Sequence, residues 1–241
     1  MIMWDKAKRL FQEMQSLADS CLTFIDKEGL YVDSFYDGFG KIANRINDYH
    51  IDLTAGATKG VIISKDVNFV FKIPFFEDDC GTEFNYDYCD LEVFNYNKAK
   101  KNQLNQFFSR TAYFDTIKTE GGSRIPVYIQ SKAIAFEDLY LYDEDDRILD
   151  KYYDRTVDKC PTKYLSQKAN SYTGTYRLPL LWINDFIEIY GEDNFDNLGE
   201  FLDKYGINDL HRGNIGYDED AFPIIFDFSG FHDYTDDSWN Y

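Results

Sequence analysis

The order in which hydrophobic periodicities succeed one another limits the architecture of this chain more than any other feature. Strand-like runs crowd residues 51–136, and helical runs dominate residues 180–205. Gly60-Val-Ile-Ile-Ser64, a turn at Lys65-Asp-Val-Asn68 and Phe69-Val-Phe-Lys-Ile-Pro-Phe75 predict a hairpin. Two further strands are predicted near Thr111–Ile117 and Pro126–Phe136, separated by the turn Glu120-Gly-Gly-Ser123. Between the two strand pairs, Asp87–Gln106 carries Leu91, Phe94, Ala99 and Leu104 at helical spacing. Ahead of the strands, Trp4, Ala7, Leu10, Phe11, Met14, Leu17 and Leu22 predict an amphipathic helix over 5–26. A break comes next over Gly29–Gly40, then a short helix over 42–49. Residues 137–175 are polar, rich in Tyr and irregular, and helices are predicted over Leu180–Tyr190 and Phe195–Tyr205 before a closing strand at Pro223–Asp227. Strands and helices segregated in this way predict an α+β architecture, divided into residues 1–136 and 137–241.

Hydrophobic residues make up 44% of the 241 and aromatics 18%, enough for a substantial core. Apolar runs such as Val61-Ile-Ile63 and Phe222–Phe226 are far too short to span a bilayer. The first residues lack the apolar stretch of a signal peptide, and Cys21, Cys80, Cys89 and Cys160 form no Cys-x-x-Cys pair. The expectation is a cytosolic protein with reduced thiols and no membrane segment. The formal net charge of −18 disfavours generic nucleic-acid binding, because it repels phosphates. It suits solubility, a basic protein partner or a surface that imitates nucleic acid. Three His residues and unpaired cysteines argue against zinc, and neither G-x-S-x-G nor H-E-x-x-H occurs.

The chemistry concentrates late in the chain, at Gly206-Ile-Asn-Asp-Leu-His-Arg-Gly-Asn-Ile-Gly216 and then Ile224-Ile-Phe-Asp-Phe-Ser-Gly230. Phosphoryl transfer needs a group to take the attacking hydroxyl's proton and oxygen ligands for Mg²⁺. Asp209 and Asn214 lie across one polar, Gly-containing loop, and Asp227 lies behind an apolar strand. Ordinary Asp and Asn turn chemistry at a hairpin is the plainer account of either motif alone.

At these residues the sequence resembles the protein-kinase-like superfamily, especially its aminoglycoside- and choline-kinase-like branches, whose loop reads H-x-D-L-H-x-x-N before an I-D-F/W strand end. Residues 50–231 also resemble kinase-like proteins encoded by bacteriophages and prophages, for which no activity is established. The resemblance implies a bilobal fold with a small β-rich N-lobe, a truncated helical C-lobe and ATP with Mg²⁺ bound in the cleft between them. It implies that Asp209 is the catalytic carboxylate and that Asn214 and Asp227 are metal ligands. Lys72, inside an otherwise apolar strand, becomes the lysine that holds the α- and β-phosphates. A guard lysine on an edge strand is the alternative. Its implied partner is a helix carboxylate: Glu92, with Glu83 and Asp87 as competitors. The turn Ala55-Gly-Ala-Thr-Lys-Gly-Val61 stands where a phosphate-covering loop belongs, with Gly56, Gly60 and Lys59, although Lys59 also reads as an exposed hairpin lysine. Residues 130–136 would join the lobes and bind adenine through backbone groups.

Three departures from the family pattern stand out. Ile207 replaces the first His of the loop motif, the Gly-rich loop is incomplete, and no activation segment is expected after Asp227. Three functions therefore stay open at this point. The first is a Mg·ATP phosphotransferase acting on a small-molecule or host-protein hydroxyl in a bacterial cytosol. The second is a kinase-fold protein that inhibits a host target by binding it. The third is nucleotidyl transfer on the same fold.

Overall fold

A computed structural model describes residues 2–22, 30, 32–76, 87–139, 178–207 and 209–230. The chain divides into two compact units. The first comprises Met1–Val93 with Thr111–Ser131, and the second Phe94–Arg110 with Lys132–Tyr241. Both are α+β, so a single cut near residue 137 does not describe the division. Residues 94–110 leave the first unit in mid-helix and the chain returns for two more strands.

The first unit is built on a five-stranded antiparallel sheet. Its strands are β1 (Ile51–Ala55), β2 (Lys59–Ser64), β3 (Phe69–Pro74), β4 (Thr111–Lys118) and β5 (Arg124–Ser131), in the order β1-β2-β3-β5-β4. Two helices supply its apolar cover. α1 (Ile2–Cys21) buries Ala7, Leu10, Phe11, Met14, Ala18 and Cys21, a stripe at three- and four-residue spacing. α2 (Val32–Ala43) buries Phe35, Phe39 and Ile42. Alternate strand residues meet them: Ile62, Phe69, Phe71, Ile73, Ile125, Val127 and Ile129 share one core with α1 and α2.

α2 occupies the stretch predicted as a break, and residues 44–49 are turn and irregular chain rather than the predicted helix. Gly38 and Gly40 read as helix breakers, but Gly38 lies against the end of α1. A Cβ there would lie 2.6 Å from a Leu22 methyl. Close packing outweighs the roughly 1 kcal/mol that a helical glycine costs.

The second unit packs α4 (Leu180–Tyr190), α5 (Glu192–Lys204) and the C-terminal part of α3 (Tyr88–Lys101) around Trp182, Phe186, Phe195, Phe107 and Phe108. A small antiparallel sheet, β6 (Ile134–Ala135), β7 (Ile215–Tyr217) and β8 (Pro223–Ile225), packs into the same core. The Trp182 indole donates to the Gly216 carbonyl at 3.0 Å, which ties α4 to β7. Most of the polar stretch 137–175 lies outside the described residues. Among the described residues, no helix is long and apolar enough to cross a membrane.

Candidate functional site

The sheet of the first unit has a second face, and strand register dictates what it carries. Lys59 pairs with Pro74, Lys72 with Tyr128 and Val70 with Gln130. Side chains alternate along a strand, so Lys59, Lys72, Tyr128 and Gln130 all point away from the α1–α2 core. α3 meets them there with Glu92. The Lys59 ammonium donates to Glu92 Oε1 at 2.6 Å, and Lys72 donates to Oε1 and Oε2 at 3.0 and 2.9 Å. The Gln130 amide donates to Oε2 at 3.3 Å. Glu92 is fully buried and each lysine is only 3% exposed.

Lys72 therefore pairs with Glu92, as the resemblance implies. It sits on the middle strand of the sheet, which removes the edge-strand explanation. Asp87 has a different duty: its carboxylate accepts the Cys89 and Asp90 amides at 2.8 and 3.0 Å and caps α3. Its other oxygen accepts the Tyr128 hydroxyl at 2.7 Å. Burial pushes the Asp87 carboxyl above its usual range, and burial plus the Asp87 hydrogen bond push the Tyr128 phenol up. Glu83 lies outside the described residues. Cys89 is a buried free thiol, pushed up by burial, and Cys21 is likewise buried and free.

One expectation for the turn before β2 needs correction, and the two glycines differ in setting. Lys59 is not an exposed hairpin lysine, because β2 begins at that residue and turns its side chain onto Glu92. Gly60 lies on the opposite face, where a Cβ would stand 2.5 Å from the Phe35 ring. Packing against α2 accounts for that glycine without any phosphate. Gly56 is exposed at the turn, its amide closing on the Lys59 carbonyl at 3.0 Å, with open space around it.

The second unit assembles the late motif chiefly through the main chain. Ile207 is fully buried in the core and its amide bonds the Leu202 carbonyl at 2.9 Å, so the loop is anchored at the position where the motif it resembles carries His. Asn208 lies outside the described residues. Asn214 ties the loop together: its amide N–H₂ donates to the Asp209 carbonyl and its backbone N–H to the His211 carbonyl at 2.9 Å. The Asn214 carbonyl accepts the amides of Phe226 and Asp227 at 3.0 and 3.2 Å, bringing the metal-ligand candidates Asn214 and Asp227 side by side. The Asp209 carboxylate is exposed, its side chain 53% accessible. His211 Nδ1 accepts the Gly213 amide at 3.0 Å, so the neutral ring carries its proton on Nε2, 4.0 Å from Asp209 Oδ1. Glu137 adds a tie from outside the motif, its amide donating to the Arg212 carbonyl at 3.2 Å.

This arrangement fits a hard divalent cation that keeps part of its own shell. With the Asn214 nitrogen committed to the Asp209 carbonyl, its amide oxygen is the atom that could serve as a ligand, and Asp227, whose backbone amide bonds the Asn214 carbonyl, supplies the candidate carboxylate. Among the described residues, no three His, Cys, Asp or Glu side chains cluster as a metal cage. Two protein oxygens completed by phosphate and water is the pattern Mg²⁺ takes with nucleotides.

Sequence reasoning missed the Gln130 side chain and Glu137. The signal for Gln130 was present, a polar residue facing the same way as Lys72 in an otherwise apolar run. Nothing local marked Glu137.

No family model matches the sequence, and no curated protein matches it. Solved structures similar to the chain include APH(2")-IIia in complex with GDP and kanamycin, at TM-score 0.27 and 10% identity, covering 89% of this chain and 71% of that one. The ternary complex of streptomycin, ATP and APH(2")-IIa matches at TM-score 0.23 and 14% identity, covering 80% of this chain and 70% of that one. The ADP-bound aminoglycoside phosphotransferase APH(2'')-Ib gives TM-score 0.23 and 14% identity, over 79% of this chain and 69% of that one.

Proposed function

We propose that this chain is a Mg·ATP-dependent phosphotransferase of the protein-kinase-like type. The observation that carries the reading is the buried Lys72–Glu92 pair between β3 and α3, with Lys59 on the same carboxylate. Buried charges are costly, and an apolar trio would pack a sheet face more cheaply. In this reading Lys72 holds the α- and β-phosphates, Lys59 adds a second cation and Glu92 fixes both ammoniums. The turn at Gly56 covers the phosphates. Asp209 accepts the proton of the acceptor hydroxyl as its oxygen attacks the γ-phosphorus. The bond between γ-phosphorus and the bridging oxygen breaks, leaving ADP and a phosphate ester. Asn214 and Asp227 would hold Mg²⁺, which would offset phosphate charge during transfer. The acceptor is a small molecule or a protein of a bacterial host.

The net charge of −18 supports a second reading, in which the fold binds and blocks a basic host target without catalysis. Incubation with γ-labelled or α-labelled ATP, Mg²⁺ and host lysate separates the two. Transfer of γ-label supports the phosphotransferase, transfer of α-label indicates nucleotidyl transfer, and transfer of neither supports the binding protein. Millimolar Mg·ATP should also raise the melting temperature. A ligand at about 100 times its Kd adds roughly 2.7 kcal/mol, or about 5–11 °C for a chain of this size. A rise below about 1 °C would sink the nucleotide reading.

A further inference from the structure

Asn95 lies one helical turn beyond Glu92 on α3 and is 1% exposed. Mid-helix Asn is a poor choice for stability, since its propensity is low and its buried amide must find partners. Here it finds only half of them. Nδ2 donates to the Phe228 carbonyl at 2.9 Å, while Oδ1 is buried with no hydrogen-bond partner. An orphan buried acceptor costs about 1–3 kcal/mol, so a leucine of similar size would suit this core better. What the amide accomplishes is to grip one carbonyl, and that carbonyl belongs to the residue after Asp227.

We infer that Asn95 is a positioning residue for the Asp227 carboxylate, a role that rests on reading Asp227 as a metal ligand. Asp227 is then held from both sides. Its own amide and that of Phe226 are fixed on the Asn214 carbonyl, and the next peptide is fixed by Asn95. The Phe228 ring adds a third anchor, fully buried with its centroid 5.0 Å from that of Phe108. With the main chain pinned on each side, the direction in which the carboxylate leaves the backbone is set before any cation arrives. A carboxylate that would bind Mg²⁺ gains from such preparation, because Mg²⁺ tolerates little departure from its preferred geometry.

The test uses Asn95→Leu, with Asn95→Ser as a second variant should leucine overpack. In the ligand-free protein, amide hydrogen exchange over 226–230 should quicken about 10-fold while exchange in α4 and α5 stays unchanged. With nucleotide, the Mg²⁺ concentration for half-maximal ATP stabilisation should rise about 10-fold, and ATP binding measured in EDTA should stay within 2-fold. Unchanged exchange over 226–230 would show that Asn95 pins nothing there and overturn the inference, whatever the nucleotide does. Quickened exchange with an unaltered Mg²⁺ requirement would overturn the link to the metal. If the wild-type protein shows no Mg²⁺-dependent ATP binding, the phosphotransferase reading fails and takes the positioning role with it.

Discussion

The two units hold their candidate residues by opposite means. In the sheet unit, Lys59, Lys72 and Glu92 are buried and fix one another through side-chain bonds, so position and stability are the same property. In the helical unit, the Asp209 carboxylate stands in solvent, and the loop beneath it is fixed through backbone amides and the Asn214 side chain. Damage to the first cluster should therefore appear in the fold before it appears in function. Damage to the second should appear in function alone.

The largest effect expected from that contrast is at Asp209. Asp209→Asn should lower γ-phosphoryl transfer by about 10²–10⁴, the usual worth of a positioned general base. Nucleotide affinity should stay within a few-fold and the melting temperature within about 2 °C, since a solvent-exposed substitution is worth at most about 0.5 kcal/mol. A large fall in melting temperature would erase the contrast between the units.

Glu92→Ala comes next. Removing one member of a buried ionic cluster costs about 3–5 kcal/mol, which corresponds to a drop of roughly 6–20 °C in melting temperature. Calorimetry of the ligand-free protein checks it, and a drop under about 3 °C would show that the cluster is not structural. Lys72→Met sharpens the point. Glu92 then keeps Lys59, so the loss should be that of a charged hydrogen bond, about 1.5–3 kcal/mol or roughly 3–12 °C. ATP affinity should nevertheless fall at least 10-fold in Lys72→Met. A variant that melts as low as Glu92→Ala while binding ATP normally would make Lys72 a structural residue.

The smallest effect concerns Asp87. Its carboxyl is raised above the ordinary 3.8 by burial, so the folded state favours the protonated form. A raised folded-state value contributes stability that is complete below the unfolded value and is lost as pH rises through the folded one. Asp87→Asn should remove that loss, so its stability relative to wild type should improve between about pH 3.5 and neutrality. Urea denaturation at the two ends of that range measures the change. A relative stability that falls with pH would mean that the capping bonds to Cys89 and Asp90 outweigh burial.

Much of the second unit was legible because its candidate site is local. Asp209 and Asn214 close a single loop, Asp227 follows two residues after β8, and the motif that carries the resemblance is nearly continuous in sequence. The β2–β3 hairpin and helices α1, α3, α4 and α5 were legible for a related reason, since periodicity and turns are properties of neighbours in sequence. Tertiary structure alone decided the rest. The placing of Lys59, Lys72 and Gln130 on one face depends on register across β2, β3 and β5, and Glu92 reaches them from a helix separate from all three strands. α2 was hidden for a similar reason: Gly38 reads as a breaker until the side chain of Leu22 is placed against it. Asn95 looked like one more polar helical residue, and only packing showed its amide turned inward onto Phe228. A sequence states which groups a chain owns and how each short stretch prefers to bend. Which polar groups become buried together depends on contacts between distant segments, and there desolvation makes every unmade hydrogen bond expensive.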